Sequence, residues 1–374
     1  MKIAVLKETA DGERRVAVSA ETVKKFIGLG ASIAVESGAG AHAAVADSDL
    51  AAAGATIGAR ADVITNADIL LGVQGPTPES LNGVKPGAWL VAGLNPFGDR
   101  ARVDDYAALG VEALAMEWMP RITRAQGMDI LSSQSNLSGY KAVLDAAGEY
   151  GRAFPMMMTA AGTISAARVF VMGVGVAGLQ AIATARRLGA QVSATDVRSA
   201  TKEQIESLGA KAIFVEDVKG IEGEGSGGYA TEMSDEYKAA QAALVSSHIA
   251  KQDIVITTAL IPGRPAPRLV SDAQIASMKP GSVIVDLAVE SGGNVEGAVA
   301  GSVVVVHGVK IVGHKNVPSR LATDASALFA RNLFIFIQAF WDKEQRKPIL
   351  DEEIGNAIRL TQGGKVVNER LLSN

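Results

Sequence analysis

A glycine-rich turn between two apolar strands constrains the fold of this chain more than any other feature of its sequence. In the stretch RVFVMGVGVAGLQAIATARRLGAQVSATD, Gly173, Gly175 and Gly178 form the pattern G-x-G-x-x-G. An apolar strand leads into the turn, a helix leads out of it, and a second strand ends at Asp196, about twenty residues further on. This order predicts a dinucleotide-binding β-α-β unit; a glycine-rich turn that binds no nucleotide is the alternative.

The spacing of the glycines matches the demands of a bound pyrophosphate. Gly173 permits the tight turn, Gly175 lets the backbone approach the phosphates, and Gly178 allows close contact between helix and strand. The first turn of the helix, which includes Val176, offers free N–H groups and the positive end of the helix dipole to phosphate oxygens.

The second strand of this unit leads into the sequence D-V-R. Asp196 can accept hydrogen bonds from both hydroxyls of the adenosine ribose, and its charge would repel a 2′-phosphate, which favours NAD over NADP. Arg198 points the other way, because an arginine at this place could receive that phosphate. Val197, between the two, is a further candidate cofactor contact.

Apolar strands alternate with helices along the rest of the 374 residues, which suffice for about two domains. Uninterrupted apolar strands separated by helices are typical of a parallel sheet covered on both faces. We therefore predict an α/β protein with two Rossmann-like, doubly wound parallel-sheet domains and a cleft between them. Residues 1–132 and 314–374 would form a discontinuous N-terminal domain, and residues 133–313 the NAD(H)-binding domain.

Ligands of doubly wound sheets bind at the carboxyl ends of the strands, so two further segments are expected to border the nucleotide. TTALIPGRPAP follows one predicted strand and DLAVESGGN follows another. They supply Ala259, Leu260, Glu290 and Asn294 as candidate contacts, with capping of the loop as the alternative role of Glu290 and Asn294. The glycine-rich stretch of residues 220–238 is either a solvated surface loop or a lid, and its sizeable contact groups are Tyr229 and Met233.

Composition excludes several classes of function. The chain has no cysteine, so it forms no disulfide, thiol nucleophile or thiolate metal site. Its four histidines do not pair with carboxylates at ligand spacing, so we expect no metal. A net charge of −4 gives no reason to expect nucleic acid or an anionic membrane surface as a partner, and no apolar stretch is long enough for direct membrane insertion.

A polar segment, PRITRAQGMDILSSQSN (120–136), is rich in groups that hold a ligand and poor in groups that move protons near neutral pH. It contains Arg121, Gln126, Asp129 and Ser132 but no histidine, cysteine or lysine. Such a segment suits a reaction that depends on positioning more than on acid–base catalysis.

Four stretches carry a resemblance to a known family: KIAVLKETADGERRVAVSAETV, LLGVQGPTPESL, GVGVAGLQAIATARRLGAQVSATDVR and VDLAVESGGN. Together they resemble the alanine dehydrogenase/pyridine nucleotide transhydrogenase family over essentially the whole chain. Within that family, the polar segment is similar to a loop of domain I of proton-translocating transhydrogenases, which surrounds the nicotinamide. The resemblance implies that Gln126 bridges two nucleotides at the nicotinamide ribose, and that the carboxamide and ring are oriented by Arg121, Asp129 and Ser132. It also implies that the Tyr229 loop closes over the site.

Departures from alanine dehydrogenase matter as much as the matches. That enzyme resembles this chain at LLGVQGP but carries a substrate-binding lysine where this sequence has Gln74, and its catalytic histidine has no counterpart near Leu94 and Asn95. Arg15 matches the family's substrate-binding arginine, with a structural salt bridge as the alternative. Oxidation of an amino acid needs a base, whereas hydride transfer between two nicotinamides needs only alignment and the exclusion of water.

The resemblance implies partners as well as a reaction. We expect NAD(H) on this chain, NADP(H) on the NADP(H)-binding domain of a membrane subunit, and a small membrane-spanning subunit beside it. The chain would be a homodimer, cytoplasmic and peripheral on the inner membrane through these partners. The alternatives are a stand-alone amino-acid dehydrogenase of the alanine type and a nucleotide-sensing module without catalysis.

Overall fold

The computed structural model describes residues 1–215, 235–261 and 263–372. Tyr229 and Met233, predicted as nucleotide contacts, lie outside the described residues. The chain divides into two compact units. Unit 1 comprises Met1–Gln134 and Pro318–Asn374, and unit 2 comprises Ser135–Val317.

Unit 1 contains a six-stranded parallel sheet built from the first part of the chain. Its strands are β1 (Lys2–Val5), β2 (Ser32–Glu36), β3 (Thr56–Gly58), β4 (Ile69–Gln74), β5 (Trp89–Gly93) and β6 (Glu112–Ala115). They lie in the order β3-β2-β1-β4-β5-β6. The first helices of the unit are α1 (Ala20–Gly28), α2 (Asp47–Ala52), α3 (Arg60–Ile64) and α4 (Arg100–Ala108). The strands are apolar on both faces, which suits a sheet covered on both sides.

The remainder of unit 1 follows unit 2 in the chain. It contains α10 (Ala322–Ala339), α11 (Glu352–Ile358), α12 (Glu369–Leu372) and two short hairpins, β16 (Trp341–Asp342) with β17 (Lys347–Pro348) and β18 (Thr361–Gln362) with β19 (Lys365–Val366). Helix α10 is buried along much of its length and packs Phe334 edge-on against Phe26 of α1, with ring centroids 5.2 Å apart. Segments far apart in sequence therefore build one core.

Unit 2 contains a seven-stranded sheet and a separate hairpin, the latter formed by β7 (Met157–Thr159) and β8 (Gly162–Ile164). The strands of the sheet are β9 (Arg168–Met172), β10 (Gln191–Thr195), β11 (Lys211–Ala212), β12 (Ile254–Thr257), β13 (Val283–Asp286), β14 (Val303–Val306) and β15 (Val309–Val312), in the order β11-β10-β9-β12-β13-β15-β14. The helices beside it are α6 (Val176–Arg187), α7 (Thr201–Ser207), α8 (Asp235–Ile249) and α9 (Asp272–Ser277). The two sheets with their helices confirm the predicted α/β class with Rossmann-like folds.

The edge strand β14 departs from the predicted parallel order, because it runs antiparallel to β15. Only two residues join the strands, His307 with φ 50° and Gly308 with φ 78°. Positive φ at both positions is the signature of a tight hairpin turn, whereas a parallel crossover needs a dozen residues or more.

Helix α5 (Ile130–Glu149) starts six residues before the predicted Asn136. The Asp129 carboxylate explains the earlier start, since it accepts hydrogen bonds from the Ser132 backbone N–H at 3.0 Å and from its Oγ at 2.6 Å. Among the described helices, including the apolar α10, none combines the length and the apolarity that crossing a membrane would require.

Candidate functional site

Two glycines of the turn are required by the packing of unit 2 itself. Gly173 has φ 98°, and its N–H donates to the Thr195 carbonyl at 2.9 Å. A Cβ on Gly178 would lie 1.9 Å from the Gly173 carbonyl oxygen, far inside any possible contact. Thr258, after β12, closes the turn by donating its hydroxyl to that same carbonyl at 2.9 Å. The glycines therefore bring the start of α6 directly against the end of β9.

Gly175 is different, because nothing in the described protein requires a glycine there. Its φ is −80°, which any residue adopts, and a Cβ built on it would have no atom within 4 Å. It is the N-cap residue of α6, and within the described residues no side chain caps the helix start. The free N–H groups of the first turn, including that of the exposed Val176, therefore face open space. Space, donors and helix dipole together fit a pyrophosphate.

Asp196 and Arg198 form one compact group at the end of β10. Asp196 is buried; its Oδ2 accepts from the Val174 N–H at 2.7 Å, and its Oδ1 accepts from the Arg198 backbone N–H and Nε, both at 2.9 Å. Arg198 Nη2 also donates to Asp196 Oδ2 at 3.1 Å and to the Val174 carbonyl at 3.2 Å. The acidic side chain thus braces the glycine turn and holds the arginine, with the half-buried Val197 between them.

Asn294 lies where the loops after β12 and β13 meet. It is fully buried; its Oδ1 accepts from the Ala259 N–H at 3.1 Å, and its Nδ2 donates to the carbonyls of Ala259 and Pro267 at 2.9 and 2.8 Å. This is the loop-capping arrangement, and a direct contact with nucleotide would need these bonds to break. Glu290 also braces a loop, by accepting from the Asn316 N–H at 2.8 Å, while Leu260 is exposed.

The buried carboxyl of Asp286 ties the end of β13 to the same loops. Its Oδ1 accepts from the Ala288 N–H at 2.9 Å and its Oδ2 from the Val295 N–H at 3.1 Å. Burial raises the pKa of Asp286. These bonds fix the path of the segment that carries Glu290 and Asn294.

Gly139 is a residue of this region that sequence reasoning missed. It lies in α5, and a Cβ on it would be 2.0 Å from the Ala177 carbonyl oxygen in the first turn of α6. Helix α5 can therefore approach the start of the phosphate-facing helix only because residue 139 has no side chain. No motif marks this position; a glycine inside a long helix was its only signal.

The polar segment of unit 1 divides into exposed and anchored groups. Arg121 and Gln126 are exposed, and Gln126 lies in a 3-10 turn, Thr123–Met128. Within the described residues no side-chain hydrogen bond of Gln126 is formed, so its amide is available to a ligand. Asp129 and Ser132 lie together at the start of α5 through the bonds described above.

Other polar groups of the segment hold it onto unit 1. Arg124 forms ion pairs with Asp351 and Glu353, both exposed. Ser133 and Gln134 turn inward: Ser133 Oγ donates to Asn332 Oδ1 at 2.7 Å, and Gln134 Nε2 donates to the Ala325 carbonyl at 3.2 Å. The polar richness of the segment thus serves its anchoring as well as a ligand.

Arg15 is engaged in a buried network. Its Nε and Nη2 donate to the Glu13 carboxylate at 2.8 and 2.7 Å, and its Nη1 donates to Gln134 Oε1 at 2.8 Å. Gln74 Nε2 donates to Glu13 Oε2 at 2.7 Å. The salt-bridged alternative for Arg15 is therefore the one found. Asn95, where a catalytic histidine was sought, has its backbone N–H bonded to Glu117, and burial raises the pKa of Glu117.

Comparison with known proteins gives one consistent result. Residues 4–138 match the N-terminal domain, and residues 142–369 the C-terminal domain, of alanine dehydrogenase/PNT, where PNT is pyridine nucleotide transhydrogenase. In Rhodospirillum rubrum the alpha subunit of NAD(P) transhydrogenase is divided into parts, and the chain is 53% identical to the first of them over 379 aligned positions, with 99% of each chain covered.

Two solved structures are also similar. The crystal structure of transhydrogenase from Sinorhizobium meliloti aligns with a TM-score of 0.87 and 52% identity, covering 99% of this chain and 100% of that one. An L-alanine dehydrogenase aligns with a TM-score of 0.82 at 23% identity, covering 100% and 98%, and this second likeness shows the shared fold alone.

Proposed function

Because the chain belongs to the alanine dehydrogenase/PNT family, we propose that it is the NAD(H)-binding subunit of a proton-translocating NAD(P) transhydrogenase. Pyridine nucleotide binding is common ground for the family, and relatives of high identity are transhydrogenase alpha subunits. The choice of NAD(H), the hydride transfer and the coupling to protons are the steps that we add.

One observation carries the choice of transhydrogenase over amino-acid dehydrogenase. Arg15, the group that would hold a substrate carboxylate in a dehydrogenase of this family, already has two of its nitrogens bonded to the carboxylate of Glu13. The position of the dehydrogenase's substrate lysine is Gln74, which donates to the same carboxylate. A carboxylate ligand would have to displace a buried ion pair, which is strongly unfavourable. This favours a reaction that needs no amino-acid substrate.

In this proposal unit 2 binds NAD(H). The glycines of the turn and the N–H groups of the first turn of α6 hold the pyrophosphate, and Asp196 accepts from the adenosine ribose. Val197, Ala259 and Leu260 border the nucleotide. When bound, NAD(H) gives or accepts hydride at its nicotinamide, in exchange with NADP(H) on the partner domain.

The Asp196–Arg198 pair supports selection of NAD(H) over NADP(H). Arg198 is held by three contacts to the Asp196 carboxylate, of 2.9, 2.9 and 3.1 Å. A 2′-phosphate would meet this carboxylate, and Arg198 would have to leave it to receive the phosphate. The arginine that seemed to favour NADP in the sequence is therefore occupied in the folded chain.

At the nicotinamide end, the chain's task is positioning. We propose that Gln126 bridges the two nucleotides and that Arg121, Asp129 and Ser132 orient the carboxamide and ring. The hydroxyl of Ser132 and the carboxylate of Asp129 are already held together at 2.6 Å, so their geometry is set before a ligand arrives. These groups supply polar contacts and no proton-transfer step, as an exchange of hydride requires.

The proposal extends to the assembly. The chain would act as a homodimer on the cytoplasmic face of the inner membrane, held there by an NADP(H)-binding domain of a membrane subunit and a small membrane-spanning subunit. In this arrangement the membrane subunits carry the proton path.

Two assays on the purified chain test the proposed function. NADH is first titrated by equilibrium dialysis, and the bound complex is then given pyruvate with ammonium while absorbance at the NADH band is followed. The same complex is next mixed with an NADP⁺-loaded transhydrogenase partner domain. Binding, no reaction with pyruvate and rapid transfer to the partner are expected. NADH loss with pyruvate would make the chain an amino-acid dehydrogenase, and binding without either reaction would make it a nucleotide sensor.

A further inference from the structure

Helix α10 carries a buried asparagine among apolar neighbours. Asn332 is 8% exposed, and the buried positions around it include Phe329, Leu333 and Phe336. A buried amide is costly unless its polar atoms are bonded. The contacts of Asn332 therefore explain why a polar residue stands where an apolar one would pack.

Asn332 holds the polar segment of unit 1 at two points. Its Nδ2 donates to the Gly127 carbonyl at 2.7 Å, and its Oδ1 accepts from Ser133 Oγ at 2.7 Å. Gly127 also packs tightly on the same helix, since a Cβ on it would be 3.2 Å from Ile335 Cγ2. The two anchoring points enclose Asp129 and Ser132 and adjoin Gln126.

The segment needs such an anchor, because the 3-10 turn Thr123–Met128 has few bonds of its own. Turns of this type have poorer hydrogen-bond geometry than an α-helix. Hydride transfer between two rings is sensitive to misplacement by about 1 Å, even when the change lies far from the reacting atoms. A single side chain that fixes both ends of Gly127–Ser133 therefore controls where the nicotinamide-facing groups stand.

We propose that Asn332 is a positioning residue for hydride transfer, acting through the Gly127–Ser133 segment without touching the nucleotide. The inference rests on the proposed function of the chain. It assigns to α10 a role beyond that of an apolar core helix.

Asn332→Leu is the primary test, since leucine keeps the volume and removes both bonds. Asn368→Leu is the matched control: Asn368 is also a buried asparagine of unit 1, its Nδ2 donates to the Arg359 carbonyl at 2.9 Å, and its Oδ1 accepts from the Arg370 N–H at 3.2 Å. Ser133→Ala is a milder second variant that removes one bond and keeps the chain folded if Asn332→Leu does not fold.

Three measurements are made on each full-length variant: hydrogen exchange of the amides of residues 123–129, the Kd for NADH, and the single-turnover rate of hydride transfer to the NADP⁺-loaded partner. For Asn332→Leu we expect several-fold faster exchange in that segment. The Kd should stay within about twofold, and transfer should be slower by about tenfold or more. Ser133→Ala should change the same two quantities less, and Asn368→Leu should change neither.

The outcomes separate this inference from the proposed function. Unchanged exchange in residues 123–129 of Asn332→Leu, or an equal loss of transfer in Asn368→Leu, would overturn the positioning role. A wild-type chain that binds NADH and never transfers hydride would instead overturn the proposed function, and the exchange data would still decide whether Asn332 holds the segment.

Discussion

Alanine at Gly175 and alanine at Gly178 should have opposite effects, although the two glycines are three residues apart. A Cβ on Gly178 would lie 1.9 Å from the Gly173 carbonyl oxygen, whereas real Cβ atoms stay at least 3.0 Å from such atoms. The start of α6 must move by roughly 1 Å, and overpacking of this kind costs about 1–3 kcal/mol. For a domain of this size, each kcal/mol lowers Tm by roughly 2–4 °C. We therefore expect Gly178→Ala to melt several degrees below the wild type.

Gly175→Ala should leave stability almost unchanged and remove binding. The new methyl group meets no protein atom within 4 Å, and φ at −80° suits alanine. Alanine is a poorer N-cap than glycine but lowers the entropy of the unfolded chain, so the net change should be below about 1 kcal/mol. The methyl group fills the space that we assign to the pyrophosphate. Loss of one charge-assisted hydrogen bond costs about 1.5–3 kcal/mol, which raises Kd by about tenfold to a hundredfold.

Thermal unfolding without nucleotide and equilibrium dialysis with NADH measure the two effects separately. The reasoning predicts a crossed pattern, with the larger loss of Tm in Gly178→Ala and a loss of affinity without loss of Tm in Gly175→Ala. Wild-type affinity in Gly175→Ala would show that no phosphate approaches that backbone. A wild-type Tm in Gly178→Ala would refute the argument from the contact distance.

Three further changes test other parts of the proposal. Asp196→Ala should weaken NADH binding broadly and free Arg198 for a 2′-phosphate, so NADPH should gain relative to NADH in a competition titration; an unchanged ratio would contradict the assigned selectivity. Gln126→Asn should leave the Kd for NADH largely intact and slow single-turnover transfer, and a wild-type rate would exclude the bridging role. Burial raises the pKa of Glu8 from 4.5 to about 7, so its contribution to stability is complete below pH 4.5 and is lost as pH rises to about 7. Urea unfolding should show a decline on the order of 3 kcal/mol over that range, and Glu8→Gln should remove it.

The local order of residues was enough to predict the fold class and the nucleotide turn. Strand, glycines, helix and Asp196 follow one another within a single β-α-β unit, so the pattern and the structure that it predicts span the same short stretch. Helix α6 begins at Val176 and ends at Arg187, within one residue of the predicted limits. Signals of this kind can be read from sequence because the interactions that they report are between near neighbours.

Polar side chains with distant partners could not be interpreted in the same way. Ser133 and Gln134 stood in the sequence as possible ligand groups, yet their partners are Asn332 and Ala325, almost two hundred residues further along the chain. The antiparallel direction of β14 likewise depended on a two-residue turn in a run of valines that reads equally well as one more parallel strand.

The sequence alone therefore determined which elements form and where a nucleotide can meet the backbone, because periodicity, glycine spacing and charge act over a few residues. Only the tertiary structure decided which polar groups remain available. It paired Arg15 with Glu13, held Arg198 on Asp196, buried Asn294 in its own loops and brought Asn332 beneath Gly127. The physical reason is that a buried donor or acceptor must find a partner, and the identity of that partner depends on segments that meet only when the chain is folded.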